Sequence, residues 1–338
     1  MTFYRYDLLD MLLQEGGDPN VEGRDGSLPL MVCLVPLVNR DHLHHFTHTM
    51  KVCYLNCVRI LLKFGANPNC SSRSNLTPLH VLNFTATENI SLTRDEDKAQ
   101  GFEFVRNLLT LLLHHGLDPN VRFSERSNHV LLSLMDIVQN ARVPKVSPVS
   151  RTFRNCQSSI CPDFLLFGSF FQDLTYVYDL TLTLITYGSN PNVIIYDPSQ
   201  RDDDLPTSAA YRKGGHSSNN GPVSYLIIYQ YVQLLMKKDQ LWINDPDCYF
   251  ARILRLYYFA MNHAEVYACL RVLLAQTGCN PTKTALFSAI RDLHSKPRTL
   301  KQLTRISIYN AIGQKPAFYA NKLPLPPSLR EYLVSFEP

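Results

Sequence analysis

Three clusters carry residue types suited to reactivity or metal binding. The first is Arg40-Asp-His-Leu-His-His-Phe-Thr-His48, followed by Cys53 and Cys57. Imidazole and thiolate are zinc's usual ligands. The spacing matches no finger or knuckle signature. The competing reading is a polar loop entering a helix, with Cys53 and Cys57 one turn apart on a buried face. The second cluster is Cys156 with Cys161, which could pair or bind metal, though a lone C-x-x-x-x-C specifies neither. The third is Asp202-Asp-Asp204. Its carboxylates could be ligands or an acid/base pair, but the stretch runs on to Gly214-Gly-His-Ser-Ser-Asn-Asn-Gly221, where a solvated charge run is expected. There is no phosphate-cradling Gly loop, no H-E-x-x-H and no G-x-S-x-G. The expectation is no catalytic residue, no metal and no cofactor, so the chemistry to look for is recognition.

Composition narrows the setting. The chain has 338 residues and a formal charge of +4, with Arg and Lys scattered rather than run together. That argues against a nucleic-acid partner. No apolar run approaches the roughly 18 residues a spanning helix needs. The longest candidate, Tyr225 to Met236, is interrupted by Gln230 and Gln233. No membrane partner is expected. Nine Cys without a charged-then-apolar leader read as reduced thiols in the cytoplasm or nucleus.

The positioning elements come from a recurring turn. Gly65 follows the apolar run Val58, Ile60, Leu61, Leu62, where a left-handed residue would end a helix. Asn67-Pro68-Asn69 is turn chemistry, and Thr77 with Pro78 suits the N-cap and first position of a new helix. The unit recurs. Gly16 precedes Asp18-Pro19-Asn20, Gly116 precedes Asp118-Pro119-Asn120, Gly188 precedes Asn190-Pro191-Asn192, and Gly278 precedes Asn280-Pro281 in a weaker fifth copy. Thirteen residues separate Gly16 from Pro29, Gly65 from Pro78, and Gly116 from His129, which stands where Pro should be. Asp25-Gly26-Ser27-Leu28-Pro29-Leu30 and Thr77-Pro78-Leu79-His80 resemble the ankyrin T-P-L-H signature, whose period is about 33 residues.

In chain order, residues 1–15 read as the second helix of a repeat, with Leu8, Leu9, Leu12 and Leu13 as its stripe. Either the start is truncated, or Phe3, Tyr4 and Tyr6 cover the exposed edge. Thr85 to Gln100 reads as an exposed polar loop, followed by a helix from Phe104 to His115 with Leu108, Leu109, Leu112 and Leu113 inward. His114-His115 would place favourable charge at that helix's C-terminus. Ala141 to Cys161 reads as a basic, Pro- and Ser-containing loop, and 197–221, with its Asp cluster and Gly/Ser/Asn run, as a second loop. Helical patterns cover Phe164–Phe171 and Tyr176–Tyr187, leaving room for a further degenerate repeat. A helix reopens at Gly221-Pro222, and two or three fill the stretch to Gln276.

The tail changes character. After Pro297, Thr299, Leu300, Leu303, Thr304 and Ile308 fall at helical spacing, with the apolar positions on one stripe. Leu323-Pro324-Leu325-Pro326-Pro327 is held extended by Pro, and Ser328-Leu-Arg-Glu331 has capping-box form, opening a helix with Leu329, Leu333 and Phe336 on one side. This stretch resembles a SOCS box. The elongin-binding half of that family reads Ser/Thr-Leu-x-x-x-Cys-x-x-x-apolar, which Thr299, Leu300 and Ile308 fit, with Thr304 replacing Cys. The cullin-selecting half reads Leu-Pro-apolar-Pro, matched by Leu323, Pro324, Leu325 and Pro326. Repeats of the G-x-D-P-N kind followed by such a tail are similar to the ankyrin-repeat and SOCS-box family.

The expected fold is therefore all-α. An ankyrin-repeat solenoid over 1–290, about five to six divergent helix–turn–helix units with short β-hairpin-like turns and long insertions, would end in a small three-helix SOCS box over 297–338. The resemblance implies elongin-binding residues within 299–312 and cullin-selecting residues within 323–336. It implies a non-catalytic substrate receptor whose partners are elongin B, elongin C, cullin-5 with its RING subunit, and a target protein that the sequence does not name. The alternatives are a non-ligase ankyrin adaptor whose last helices only cap the solenoid, and a receptor with an F-box-like tail, against which Pro326-Pro327 argues. Target contacts are expected on the concave face and on the loops 40–52, 141–161 and 197–221.

Overall fold

A computed structural model describes residues 5–24, 26–38, 47–72, 76–91, 95–121, 129–131, 134, 162–192, 226–236, 249–278 and 284–336. His42, His44 and His45, Cys156 and Cys161, Asp202 to Asp204, and most of the three expected target-binding loops lie outside them. The described residues are helical with no strand, and no helix among them is long and apolar enough to cross a membrane. Two compact units, 1–121 and 122–338, are taken in turn.

In the first unit, α1 (Tyr6–Gln14), α2 (Pro29–Leu34), α3 (His48–Lys63), α4 (Pro78–Ser91) and α5 (Asp95–His114) follow the expected punctuation. Gly16, Gly65 and Gly116 all have left-handed φ, at 93°, 92° and 96°. Each closes its helix with the same pair of hydrogen bonds. Gly65 N–H donates to Leu62 O and Ala66 N–H to Leu61 O, and Gly116 and Leu117 repeat this on Leu113 and Leu112. The Asx turn also repeats: Asp18, Asn67 and Asp118 each accept the backbone N–H of the Asn two residues on. The hairpin-like closures are in register too, Gly23 N–H to Ser27 O and Ser72 N–H to Leu76 O, both at 2.9 Å.

The Asn that ends each motif reaches the next turn. Asn20 Nδ2 donates to Gly65 O (2.9 Å) and its Oδ1 accepts from Asn67 N–H (2.8 Å). Asn69 repeats both bonds, to Gly116 O (2.9 Å) and from Asp118 N–H (2.7 Å). One side chain thus satisfies a helix-terminal carbonyl that has no partner within its own helix, and an amide beside it. At the helix starts, His80 Nδ1 lies 3.1 Å from Thr77 N and 2.8 Å from Thr77 Oγ1, so Thr77 and His80 close the end of α4 jointly. His129, at the position that Pro78 holds, makes a different contact: its Nδ1 accepts the N–H of Leu131, two residues further on.

Several expectations need correction. The polar stretch from Thr85 is not a loop: α4 runs through Ser91 and α5 begins at Asp95. The Thr85 and Thr87 hydroxyls donate back to the carbonyls of Val81 and Asn83, so polarity does not interrupt the helix. Thr85, Asn89 and Lys98 are buried, and a Cβ on Gly101 would lie 2.6 Å from Asn89 Oδ1, so glycine is what lets these helices meet. In α1 the Leu stripe is split: Leu13 is buried, but Leu8 and Leu12 are exposed, as is Tyr6. His115 does not favour charge, because burial first and His114 second lower its pKa. Cys57 is buried against Cys33 of α2, their hydrogen bond raising the Cys33 thiol and lowering that of Cys57, while Cys53 is half-buried.

The second unit contains α6 (Pro162–Thr186), α7 (Ile227–Met236), α8 (Tyr249–Ala260), α9 (Val266–Gly278), α10 (Thr284–Ser295), α11 (Leu300–Ala311), α12 (Pro316–Tyr319) and α13 (Pro327–Ser335). The two helical patterns expected within 164–187 are one continuous helix, α6, with no further repeat inside it. It ends as the earlier copies do: Gly188 has φ 105°, Gly188 N–H donates to Ile185 O, and Ser189 N–H to Leu184 O. Asn190 Oδ1 accepts Asn192 N–H, and Asn192 Oδ1 accepts from Asn262 and His263 N–H. Three helices fill the stretch up to Gly278, which is itself the last helical residue of α9, while Asn280-Pro281 lies outside the described residues. The core packs α8 against α6, α7, α10 and α11, and α9 against α7 and α10.

Candidate functional site

The site is built on α11, and it starts with a cap. Thr299 Oγ1 accepts Gln302 N–H at 3.3 Å and Gln302 Oε1 accepts Thr299 N–H at 2.9 Å, a reciprocal box that fixes where the helix begins. The box expected at Ser328 to Glu331 is absent. There α13 opens two residues earlier, with Pro326 as its uncapped N-cap and Pro327 at its first position, where no N–H is required.

Two faces of α11 differ in kind. Leu300 is 80% exposed and Leu303 48%. Thr304 is exposed and Ile308 half-buried. The Thr304 hydroxyl donates to Leu300 O at 2.8 Å, so it needs no partner from elsewhere. The other face holds Arg305 and Tyr309, both buried. The Arg305 guanidinium lies 4.4 Å from the Tyr332 ring centre, 5.2 Å from Phe259 and 5.4 Å from Phe336. Burial pushes its pKa down and raises that of Tyr332, which Arg305 opposes. A cation held among ring faces keeps part of the stabilisation that water would give. Tyr309 donates its hydroxyl to Ile185 O at 3.2 Å and stacks edge-on against Phe336.

Those contacts anchor the tail on α6 and α8. Phe318 meets Tyr187 edge-on at 5.2 Å, and the Lys315 side chain lies over Gly188, where a Cβ would sit 3.0 Å from its Cγ. Arg298 donates to Tyr258 O and lies 4.5 Å from the Tyr258 ring centre. Leu329, Leu333 and Phe336, expected on one side of the helix, do not share an environment: Leu329 is exposed and Leu333 buried. Phe336 is buried, but as a left-handed residue (φ 53°) beyond the helix end rather than on its stripe.

Leu323 to Pro326 runs extended, with φ/ψ of −74°/142° at Leu323 and −55°/150° at Pro326. Pro324 and Pro326 are exposed, Leu323 and Leu325 half-buried. Arg330 Nε donates to Leu325 O at 2.7 Å, fastening this extended segment to α13. Beside Leu323 a cleft of about 520 Å³ is lined by Ile312, Lys315, Tyr319 and Lys322.

Residues 296–333 match the family model of the SOCS box. The chain contains a SOCS box. A comparison with curated proteins returned no match, and no ankyrin-repeat family model matches the chain.

Within the SOCS box, reading the sequence named Thr299, Leu300, Leu303, Thr304 and Ile308 on this helix, and did not name Arg305 and Tyr309, which are buried. Their signal was an Arg and a Tyr four apart, in register with each other and out of register with the leucines. It also missed the charge of the box. Between 296 and 333 lie Lys296, Arg298, Lys301, Arg305, Lys315, Lys322 and Arg330 against the single carboxylate of Glu331, so the box is more positive than the whole chain at +4.

Proposed function

We propose that this chain is the substrate-recognition subunit of an elongin B/C–cullin-5-type RING ubiquitin ligase. The observation that carries the reading is the outward leucine face of α11, inside the segment that matches the SOCS box. A helix that merely capped a core would turn its apolar stripe inward. Here Arg305 and Tyr309 make the inward contacts, and Leu300 and Leu303 are left to water. In the proposed assembly Leu300 enters an apolar pocket on elongin C. Thr299, Leu303, Thr304 and Ile308 surround it, and Leu323, Pro324, Leu325 and Pro326 meet cullin-5.

Residues 1–290 then serve as a divergent ankyrin array that holds the target, with 297–338 as the recruiting module. The matched turns at Gly16, Gly65, Gly116 and Gly188, and the cross-turn bonds of Asn20 and Asn69, support that reading. The subunit performs no bond chemistry. It raises the effective concentration of target lysines near the loaded enzyme. The basic box suits an acidic partner surface and predicts association that weakens with salt.

Co-expression with elongins B and C tests this. The full chain is expected to co-purify with them, and Leu300→Asp to abolish the complex without unfolding the chain. A folded wild-type chain that ignores the elongin heterodimer at micromolar concentration would leave only the adaptor reading.

A further inference from the structure

The exposed face of α1 departs from the equivalent faces of the later turn-ending helices. Counting back from each turn glycine, the positions eight and four residues earlier are Cys57 and Leu61, Leu108 and Leu112, and Leu180 and Leu184. All six are buried. In α1 the same positions are Leu8 and Leu12, 44% and 66% exposed, with Met11 beside them also exposed. The difference has a local cause. In the first unit, α3 is covered by α2 and α5 by α4, whereas α1 packs on α3 and has no such covering helix among the described residues. What lies open is a strip at spacings of three and four, shaped for one helix.

Charge selects the occupant. Residues 5–24 hold Asp7, Asp10, Glu15, Asp18 and Glu22 against Arg5 and Arg24. Asp7, whose carboxylate also holds Arg5 at 2.9 Å, flanks the strip, and Glu15, which makes no ion pair among the described residues, follows it one turn on, both exposed. We propose that α1 docks an amphipathic helix of a partner protein whose apolar stripe is edged by Lys or Arg. In the reading of the previous subsection this partner is a ubiquitination target. The docking does not depend on elongin and is tested without it.

The test uses the full chain and three fluorescent helical peptides: a Leu stripe edged by Lys, the same stripe edged by Glu, and a scrambled Lys/Leu control, read by anisotropy. The Lys-edged helix is expected to bind at least about tenfold tighter than the other two. Leu12→Glu should remove that binding, while Leu300→Asp leaves it unchanged. Because Leu12 is exposed, Leu12→Glu should melt with the wild type. The pair Asp7→Lys and Glu15→Lys, which spares the strip, should reverse the preference toward the Glu-edged helix. Equal binding of the Lys- and Glu-edged peptides overturns the proposal, as does binding indifferent to Leu12→Glu. A wild-type dimer that Leu12→Glu dissociates also overturns it, since a second copy would then be the occupant.

Discussion

Leu61 and Leu300 are both helical leucines in helix-spaced stripes, yet one is 1% exposed and the other 80%. Around Leu61 the protein closes on itself. The Schellman turn at Gly65 satisfies the carbonyls of Leu61 and Leu62, and Asn20 and Asn69 carry the remaining polar groups from turn to turn. Around Leu300 the same amphipathic logic is inverted. A buried guanidinium and a tyrosine fix α11 in place, and the leucines face out. Exposing a leucine forgoes roughly 1.5–3 kcal/mol of burial, so a contiguous outward pair points to a partner.

The contrast can be broken at several points. Leu300→Asp should cost elongin binding the more than 2 kcal/mol typical of an interface hot spot, yet shift stability by less than about 0.5 kcal/mol, measured by pull-down and by denaturant melting. Leu61→Ala should do the opposite. It should lose about 2–5 kcal/mol of stability through a cavity while the SOCS box still binds. Comparing Gly65→Ala with Gly188→Ala sharpens the difference between turns. Both force a Cβ into left-handed backbone at about 1–2 kcal/mol, but a Cβ at Gly65 meets nothing within 4 Å while one at Gly188 meets Lys315. Gly188→Ala should therefore cost more in the same melts, and it alone should perturb elongin affinity.

Asn69→Ala should remove about 1 kcal/mol, because water can reach the freed Gly116 carbonyl and Asp118 amide, and amide exchange should quicken at Asp118. The smallest effect belongs to His115. Its pKa is lowered in the folded state, chiefly by burial, so the folded form binds fewer protons than the unfolded one. Its contribution is complete above the unfolded value near 6.5 and fades as pH falls through the lower folded value. The chain should lose slightly more stability between pH 7 and pH 5 than a His115→Gln variant does.

The turns were legible because their signals are local. A glycine before Asn-Pro-Asn announces left-handed backbone and a fixed φ whatever surrounds it, and Gly16, Gly65, Gly116 and Gly188 all adopt that geometry. The SOCS box was legible for the same reason, since its prolines and helical spacing are written within forty residues. Thr85 to Gln100 misled because polar composition suggested a loop, whereas the Thr hydroxyls found their acceptors one helical turn back and Asn89 closed on Gly101. The capping box misled because Ser328 and Thr299 carry equivalent motifs, and only at Thr299 does a helix start where the motif needs it.

The sequence alone determined where helices stop, where the chain turns, and which short tail motif it carries, because glycine and proline act through the backbone of their own residue. Only the tertiary structure decided which side of each stripe meets water. Burial depends on what packs opposite, and a periodicity of three and four is the same for Leu61, covered by its neighbours, as for Leu12 and Leu300, which are not.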